Sequence, residues 1–135
     1  MAKVLYVEEH PGIRNATTDG LRFREYEVID ADFFKARELQ RKPGLAKMEL
    51  DIILAALPGR EGPEVIESAT KFFGDLAKSR LPVPVIIDIY RHEGFDIARL
   101  RNQFKGKNAE FTSTGLSDVI GSYDREIKEA LEKKK

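Results

Sequence analysis

The apolar positions change period along the chain, and each change marks an element. Lys3-Val4-Leu5-Tyr6-Val7 is a short run stopped by Glu8-Glu9-His10-Pro11, and predicts a strand. Ile13, Ala16, Thr17 and Leu21 then fall at spacings of three and four, one face of a helix. Glu25-Tyr26-Glu27-Val28-Ile29 alternates polar and apolar, as a half-exposed strand does. Residues 32–41 read as a helix with Asp32 as its N-cap, broken by Pro43-Gly44.

The second half repeats the alternation. Ile52 to Leu57 is apolar on both faces, as in a strand covered by helices on each side. Pro63 suits the first turn of a long helix carrying Val65, Ile66, Ala69, Phe72, Phe73 and Leu76 on one stripe. Pro84-Val85-Ile86-Ile87 is a further buried strand, and Phe95 to Phe104 a helix bearing Ile97, Leu100 and Phe104. Residues 109–113, AEFTS, form a weak strand. The last helix, from about Leu116, carries Val119, Ile120, Tyr123, Ile127 and Leu131, and ends in lysines that suit the negative end of its dipole.

Strand and helix thus alternate five times. Strict alternation of short units predicts a doubly wound α/β domain: a parallel sheet with right-handed crossovers and helices on both faces. Ligands of such sheets sit beyond the C-terminal ends of the strands. No internal repeat, linker or low-complexity tract interrupts the pattern, so one domain is expected over residues 1–135.

Composition narrows the function. Lysine plus arginine and aspartate plus glutamate number 23 each, and this balance removes the electrostatic argument for a nucleic-acid binder. The chain has no cysteine, which excludes a disulfide framework, a thiolate zinc site and a cysteine nucleophile. The start, MAKVLYVEEH, turns acidic too early for a signal peptide, and no apolar run approaches a membrane span. The expectation is a cytoplasmic protein without membrane or nucleic-acid partners.

One stretch bears on chemistry. DIILAALPGREG, residues 51–62, reads as a strand end running into a sharp Pro58-Gly59 turn, yet no acid, hydroxyl, His or Cys lies between Asp51 and Glu61. In this setting the whole chain resembles the receiver domain of two-component response regulators. KVLYVEEHPGIRNA resembles the first strand and acidic loop of that family, EYEVIDAD the second strand, LPGREGPEVI the loop after the phosphorylated aspartate, VPVIIDIY the fourth strand and AEFTSTGLS the end of the fifth. The resemblance implies five strands in the order 2-1-3-4-5.

It also implies a set of site residues, and most are absent. The phosphoacceptor aspartate aligns with Ala56 when counted from Asp51; because the loop before Pro58 is two residues short, the position is Ala55 or Ala56. The hydroxyl that ends the fourth strand aligns with Ile89, the lysine near the end of the fifth with Thr114 and the proline after it with Gly115. Phe111 stands at the switch aromatic, without a hydroxyl. Glu8 and Glu9 occupy the place of the acidic pair that holds magnesium in the family. Acceptor, hydroxyl and lysine would be lost as a set, since clustered polar groups at strand ends are costly to keep without catalysis.

Other candidates are weighed beside these. Glu8 and Glu9 could retain a divalent cation, although a third carboxylate is missing. His10, Asp88, His92 and Glu93 could converge with Glu8 or Glu9 as a zinc or iron site, or remain solvated loop residues. Asp88 lies one residue before the hydroxyl position: strand alternation turns it to the opposite face, towards water or an arginine, whereas a one-residue slip aims it into the pocket. Tyr90, Phe111 and Tyr123 could mark an interaction surface over the fourth helix, fifth strand and fifth helix, for a signalling partner or a homodimer.

The expected function is that of a pseudo-receiver: signal transduction by protein–protein interaction, no aspartyl phosphorylation and no catalysis of its own. With no output domain after the last helix, its effect would then pass through a separate partner or a fused domain. The alternatives are a metal-dependent phosphoacceptor using a displaced carboxylate (Asp88, Glu8 or Glu9), and a flavodoxin-like small-molecule or nucleotide module at the same strand edge. The latter lacks a glycine-rich cradle, since the loop after the first strand holds only Gly12.

Overall fold

The computed structural model describes residues 1–59, 61–80, 83–91, 94–115 and 118–133. Five strands, β1 (Lys3–Val7), β2 (Glu27–Ala31), β3 (Ile52–Ala56), β4 (Val85–Asp88) and β5 (Ala109–Thr112), pair in parallel in the order β2-β1-β3-β4-β5. Five helices alternate with them: α1 (Pro11–Phe23), α2 (Phe33–Arg41), α3 (Pro63–Lys78), α4 (Ile97–Gln103) and α5 (Val119–Lys133). The expected class and strand order are therefore present.

Local chemistry explains the helix starts. Pro11 opens α1 where its missing N–H is no loss, and His10 caps the turn, its Nδ1 accepting from the Ile13 amide at 3.2 Å. Asp32 caps α2 through the Lys35 amide at 2.8 Å, as its position predicts. Pro63 opens α3 behind Gly62, which offers no side-chain cap. The fourth helix is shorter than expected, starting at Ile97 behind its cap Asp96, and two further elements differ. The second strand begins at Glu27, because Glu25 turns the chain at φ 70°. After the cis Lys42–Pro43 bond, Leu45–Met48 form a short 3₁₀ turn in what reads as a plain break.

Strand alternation divides the interior into two layers. On one face of the sheet, Leu5, Val7, Ile53, Ala55, Val85 and Ile87 pack under α2, α3 and α4. Phe33, Phe72 and Phe73 meet there with ring centroids 5.4–5.8 Å apart, a dense apolar cluster. On the other face, Val4, Tyr6, Ile52, Leu54 and Ile86 pack under α1 and α5, which supply Leu21, Tyr123 and Ile127.

The second layer carries the polar groups. Tyr26 donates to Asp124 Oδ1 at 2.6 Å, and Arg24 and Lys128 reach Oδ2 at 2.8 and 3.2 Å. The Tyr6 and Thr18 hydroxyls are buried there without a hydrogen-bond partner among the described residues, although the Thr17 side chain lies close to Tyr6. Among the described residues no helix is long and apolar enough to cross a membrane.

Candidate functional site

The C-terminal ends of β1, β3 and β4 bring Glu8, Ala56 and Asp88 to one edge of the sheet. The β3–β4 register sets Ala56 directly against Asp88. Ala55 faces the other way, wholly buried in the layer beneath α2 to α4. Of the two candidate acceptor positions, Ala56 is the one that lines the pocket.

Asp88 corrects the alternation argument. Its side chain points into this pocket and is 5% exposed. Oδ2 accepts from the Tyr123 hydroxyl at 2.6 Å, and Oδ1 accepts from the amides of Tyr90 and Thr114 at 3.0 and 3.1 Å. Ile89 packs instead against the apolar cluster of the opposite layer. The reason is phase: β4 starts at Val85, so Ile86 and Asp88 share the α1/α5 face while Val85 and Ile87 take the other. A tyrosine and two backbone amides satisfy the carboxylate, rather than an arginine.

Tyr123 is the counterpart of this group. It is 3% exposed, and burial first, then the neighbouring Asp88, pushes its phenol far above the ordinary value, so it stays a donor. Its ring lies edge-on to Tyr6 at 6.0 Å. Thr114 is buried beside it, its amide used by Asp88.

Glu8 closes the other side. It is 1% exposed, with Oε1 against Arg91 Nη2 at 2.6 Å and Oε2 accepting from the His10 amide at 3.1 Å. Burial raises its carboxyl above the ordinary carboxylate range; the His10 amide and the Arg91 charge oppose that shift without cancelling it. Glu9 diverges from Glu8: its Oε1 accepts from the Phe33 amide at 3.2 Å, at the start of α2. Burial raises its carboxyl as well, helped by the charges of Asp32 and Glu61.

These contacts decide how well the edge fits magnesium. The ion demands near-octahedral oxygen ligands. Glu8 is engaged by Arg91, Glu9 by a helix N-terminus, and Ala56 offers no side-chain oxygen. The residues do not fit the ion, and no group of three or more potential metal ligands forms among the described residues. His10 serves as a helix cap, while His92 and Glu93 lie outside the described residues.

The space left between Glu8, Ala56, Asp88, Arg91, Thr114 and Tyr123 is about 10 Å³. That is room for a single water at most. A phosphoryl group on residue 56 would have to displace the side chains that now fill the pocket.

The three aromatic candidates do not form one surface. Tyr123 is core. Phe111 is half-buried, edge-on to Phe104 at 6.3 Å with the Arg101 guanidinium 4.9 Å above its ring. Tyr90 is 46% exposed and stands apart as an open aromatic. Sequence reasoning missed Arg91, whose partner lies 83 positions away and leaves no local signal.

Comparison with solved structures places this arrangement. A CheY-like response regulator receiver domain from Methanospirillum hungatei JF-1 is 21% identical, with TM-score 0.65 over 99% of this chain and 96% of that one. The beryllofluoride-activated NtrC4 receiver domain dimer is 18% identical, with TM-score 0.66 over the whole of both chains. A chain from the complex of the histidine kinase ThkA with the response regulator TrrA is 19% identical, with TM-score 0.58 over 94% of this chain and 98% of that one. The chain has the receiver fold. No family model and no curated protein sequence matches it. Against the receiver fold, the pocket at the strand ends holds an alanine opposite a hydrogen-bonded aspartate.

Proposed function

We propose that this chain is a pseudo-receiver: a receiver-fold module of two-component signalling that works by binding another protein, without aspartyl phosphorylation. The single observation that supports this most is the pairing of Ala56 with Asp88. The position read as the acceptor has no nucleophilic oxygen. The nearest carboxylate, Asp88, already accepts three hydrogen bonds from Tyr123, Tyr90 and Thr114. Attack on a phosphodonor needs an unencumbered oxygen and a cation to neutralise the transferred group. Here one oxygen faces a buried phenol, and the arginine at the edge is committed to Glu8.

The receiver TrrA was solved with a histidine kinase, and the NtrC4 receiver as a dimer. By analogy, the partner of this chain is a signalling protein or a second copy. The face formed by α4, β5 and α5 is the expected contact, with Tyr90 as the exposed aromatic beside it.

The test is exposure of the purified chain to acetyl phosphate and to beryllofluoride with magnesium, followed by intact-mass measurement and amide NMR. The expected result is no phosphoryl adduct and no saturable shift at Glu8, Ala56, Asp88 or Thr114. A second reading, a displaced carboxylate among Asp88, Glu8 and Glu9 as phosphoacceptor, is favoured at Asp88 by its place in the pocket opposite Ala56. A hydroxylamine- and alkali-labile adduct lost in Asp88→Asn would establish that reading and sink the first.

A further inference from the structure

At the end of the sheet opposite Asp88, α2 and α3 finish side by side and leave a groove of about 400 Å³. Its floor is apolar, made by Leu45, Ala46 and Leu76. Its rim is basic, with Arg37, Arg41 and Arg80 facing one acid, Asp75.

The three arginines are not equivalent. Arg37 is occupied: its Nη1 meets Asp75 Oδ2 at 2.5 Å and Gln40 Oε1 at 2.7 Å, and Gln40 is itself anchored on the Phe72 carbonyl at 3.0 Å. Arg41 and Arg80 are exposed, and neither guanidinium has a hydrogen-bond or ion-pair partner among the described residues. Nor do they cap the helix ends. The carbonyls of Glu38 and Leu39 are taken by the amides of Lys42 and Gly44, and that of Leu76 by the amide and hydroxyl of Ser79.

Two guanidiniums without a partner among the described residues, over an apolar floor, define a ligand chemistry. Small-molecule sites combine an apolar lining with a few placed polar groups, in volumes from roughly 300 Å³ upward. Guanidinium is the side chain best matched to carboxylate, sulfonate and phosphate oxygens. We propose that this groove binds a small amphipathic anion: an aliphatic or aromatic body on Leu45 and Leu76, with one anionic head between Arg41 and Arg80. Arg37, held by Asp75 and Gln40, sets the wall and leaves the head group to the other two. The site is independent of the pocket at Asp88, so it stands or falls separately from the signalling reading.

Anilinonaphthalene sulfonate, an aromatic body with a single sulfonate, is the probe. Fluorescence titration of the full chain should show saturable one-site binding that decanoate displaces. The double variant Arg41→Gln/Arg80→Gln should weaken binding by about tenfold or more, the expected effect of losing charge-assisted hydrogen bonds. Ala46→Trp keeps both charges but fills the floor from an exposed position, and should abolish binding while the far-UV spectrum is unchanged. The proposal is overturned by the absence of saturable binding, or by binding that both variants leave intact. Displacement of the probe by polyglutamate but not by decanoate also overturns it, in favour of an acidic peptide.

Discussion

The phenol of Tyr123 on α5 donates a 2.6 Å hydrogen bond to the carboxylate of Asp88 at the end of β4, joining helix and sheet from inside the pocket. Both partners are nearly inaccessible to water, so neither can exchange the other for solvent. A buried acceptor deprived of its donor costs about 1–3 kcal/mol. Tyr123→Phe is therefore expected to lower unfolding stability by that order. Asp88→Ala strands the phenol and the Tyr90 and Thr114 amides together, and should cost more. The double variant should fall short of the sum by about 1 kcal/mol or more, as coupled neighbours do. Urea unfolding of the four proteins measures this; strict additivity would show that the bond is not maintained in solution.

An acid introduced at Ala56 should destabilise the fold. Ala56→Asp would place a second carboxylate against Asp88, at a position only 4% exposed. Two buried like charges are costly, and the penalty is expected at about 3 kcal/mol or more. Thermal unfolding of Ala56→Asp should show the loss near neutral pH. Ala56→Asp combined with Asp88→Thr should recover much of it.

The Tyr6 hydroxyl offers the opposite case. It is fully buried without a hydrogen-bond partner among the described residues, and burial pushes its phenol well above the ordinary value. Tyr6→Phe removes an unsatisfied polar atom while keeping the ring that meets Tyr123. The variant is expected to be more stable by about 0.5–1 kcal/mol. Destabilisation would mean that the hydroxyl has a partner in solution, the neighbouring Thr17 side chain being the nearest.

Glu8 and Asp124 should move stability in opposite directions with pH. Burial raises the Glu8 carboxyl, so the folded state holds its proton more tightly than the unfolded chain. The Glu8 contribution therefore grows as pH falls from neutrality through its folded-state value. For Asp124, burial alone would raise the carboxyl, but hydrogen bonds from Tyr26, Arg24 and Lys128 outweigh it and bring it below the ordinary value. That stabilisation is complete above about pH 4 and is lost as pH falls through the lower folded-state value. Glu8→Gln should flatten the mildly acidic side of the stability profile. Asp124→Asn should cost about 2 kcal/mol at neutral pH and remove part of the acid loss. Chemical denaturation across the pH range tests both; a Glu8→Gln profile parallel to the wild type would contradict the first.

The order of elements was legible because each change of apolar period is a local property. Val4 to Val7, the Phe72-Phe73 stripe and the Ile52 to Ala56 run declare their type without reference to the rest of the chain. What was not legible depends on one-residue phase or on distant pairing. Alternation predicts that Asp88 and Ile89 face opposite ways, but not which of them faces the pocket, since that depends on where β4 starts. Tyr123 lies on an apolar helical stripe, which fits both a core and an exposed contact until α5 is docked. The Glu8–Arg91 pair and the Asp124–Tyr26 pair, 83 and 98 positions apart, exist only once the sheet brings them together.

The two layers of the sheet differ in how freely they can change over generations. Beneath α2 and α3, interlocking phenyl rings ask only that volume be conserved, so many sequences serve equally well. Beneath α1 and α5, Asp88 and Asp124 each require a particular donor, so a substitution at Tyr123 is acceptable only if Asp88 changes with it, and one at Asp124 only if Tyr26 does. One face tolerates exchange of one apolar side chain for another, while the other ties β4 to α5 through the single bond from Tyr123 to Asp88.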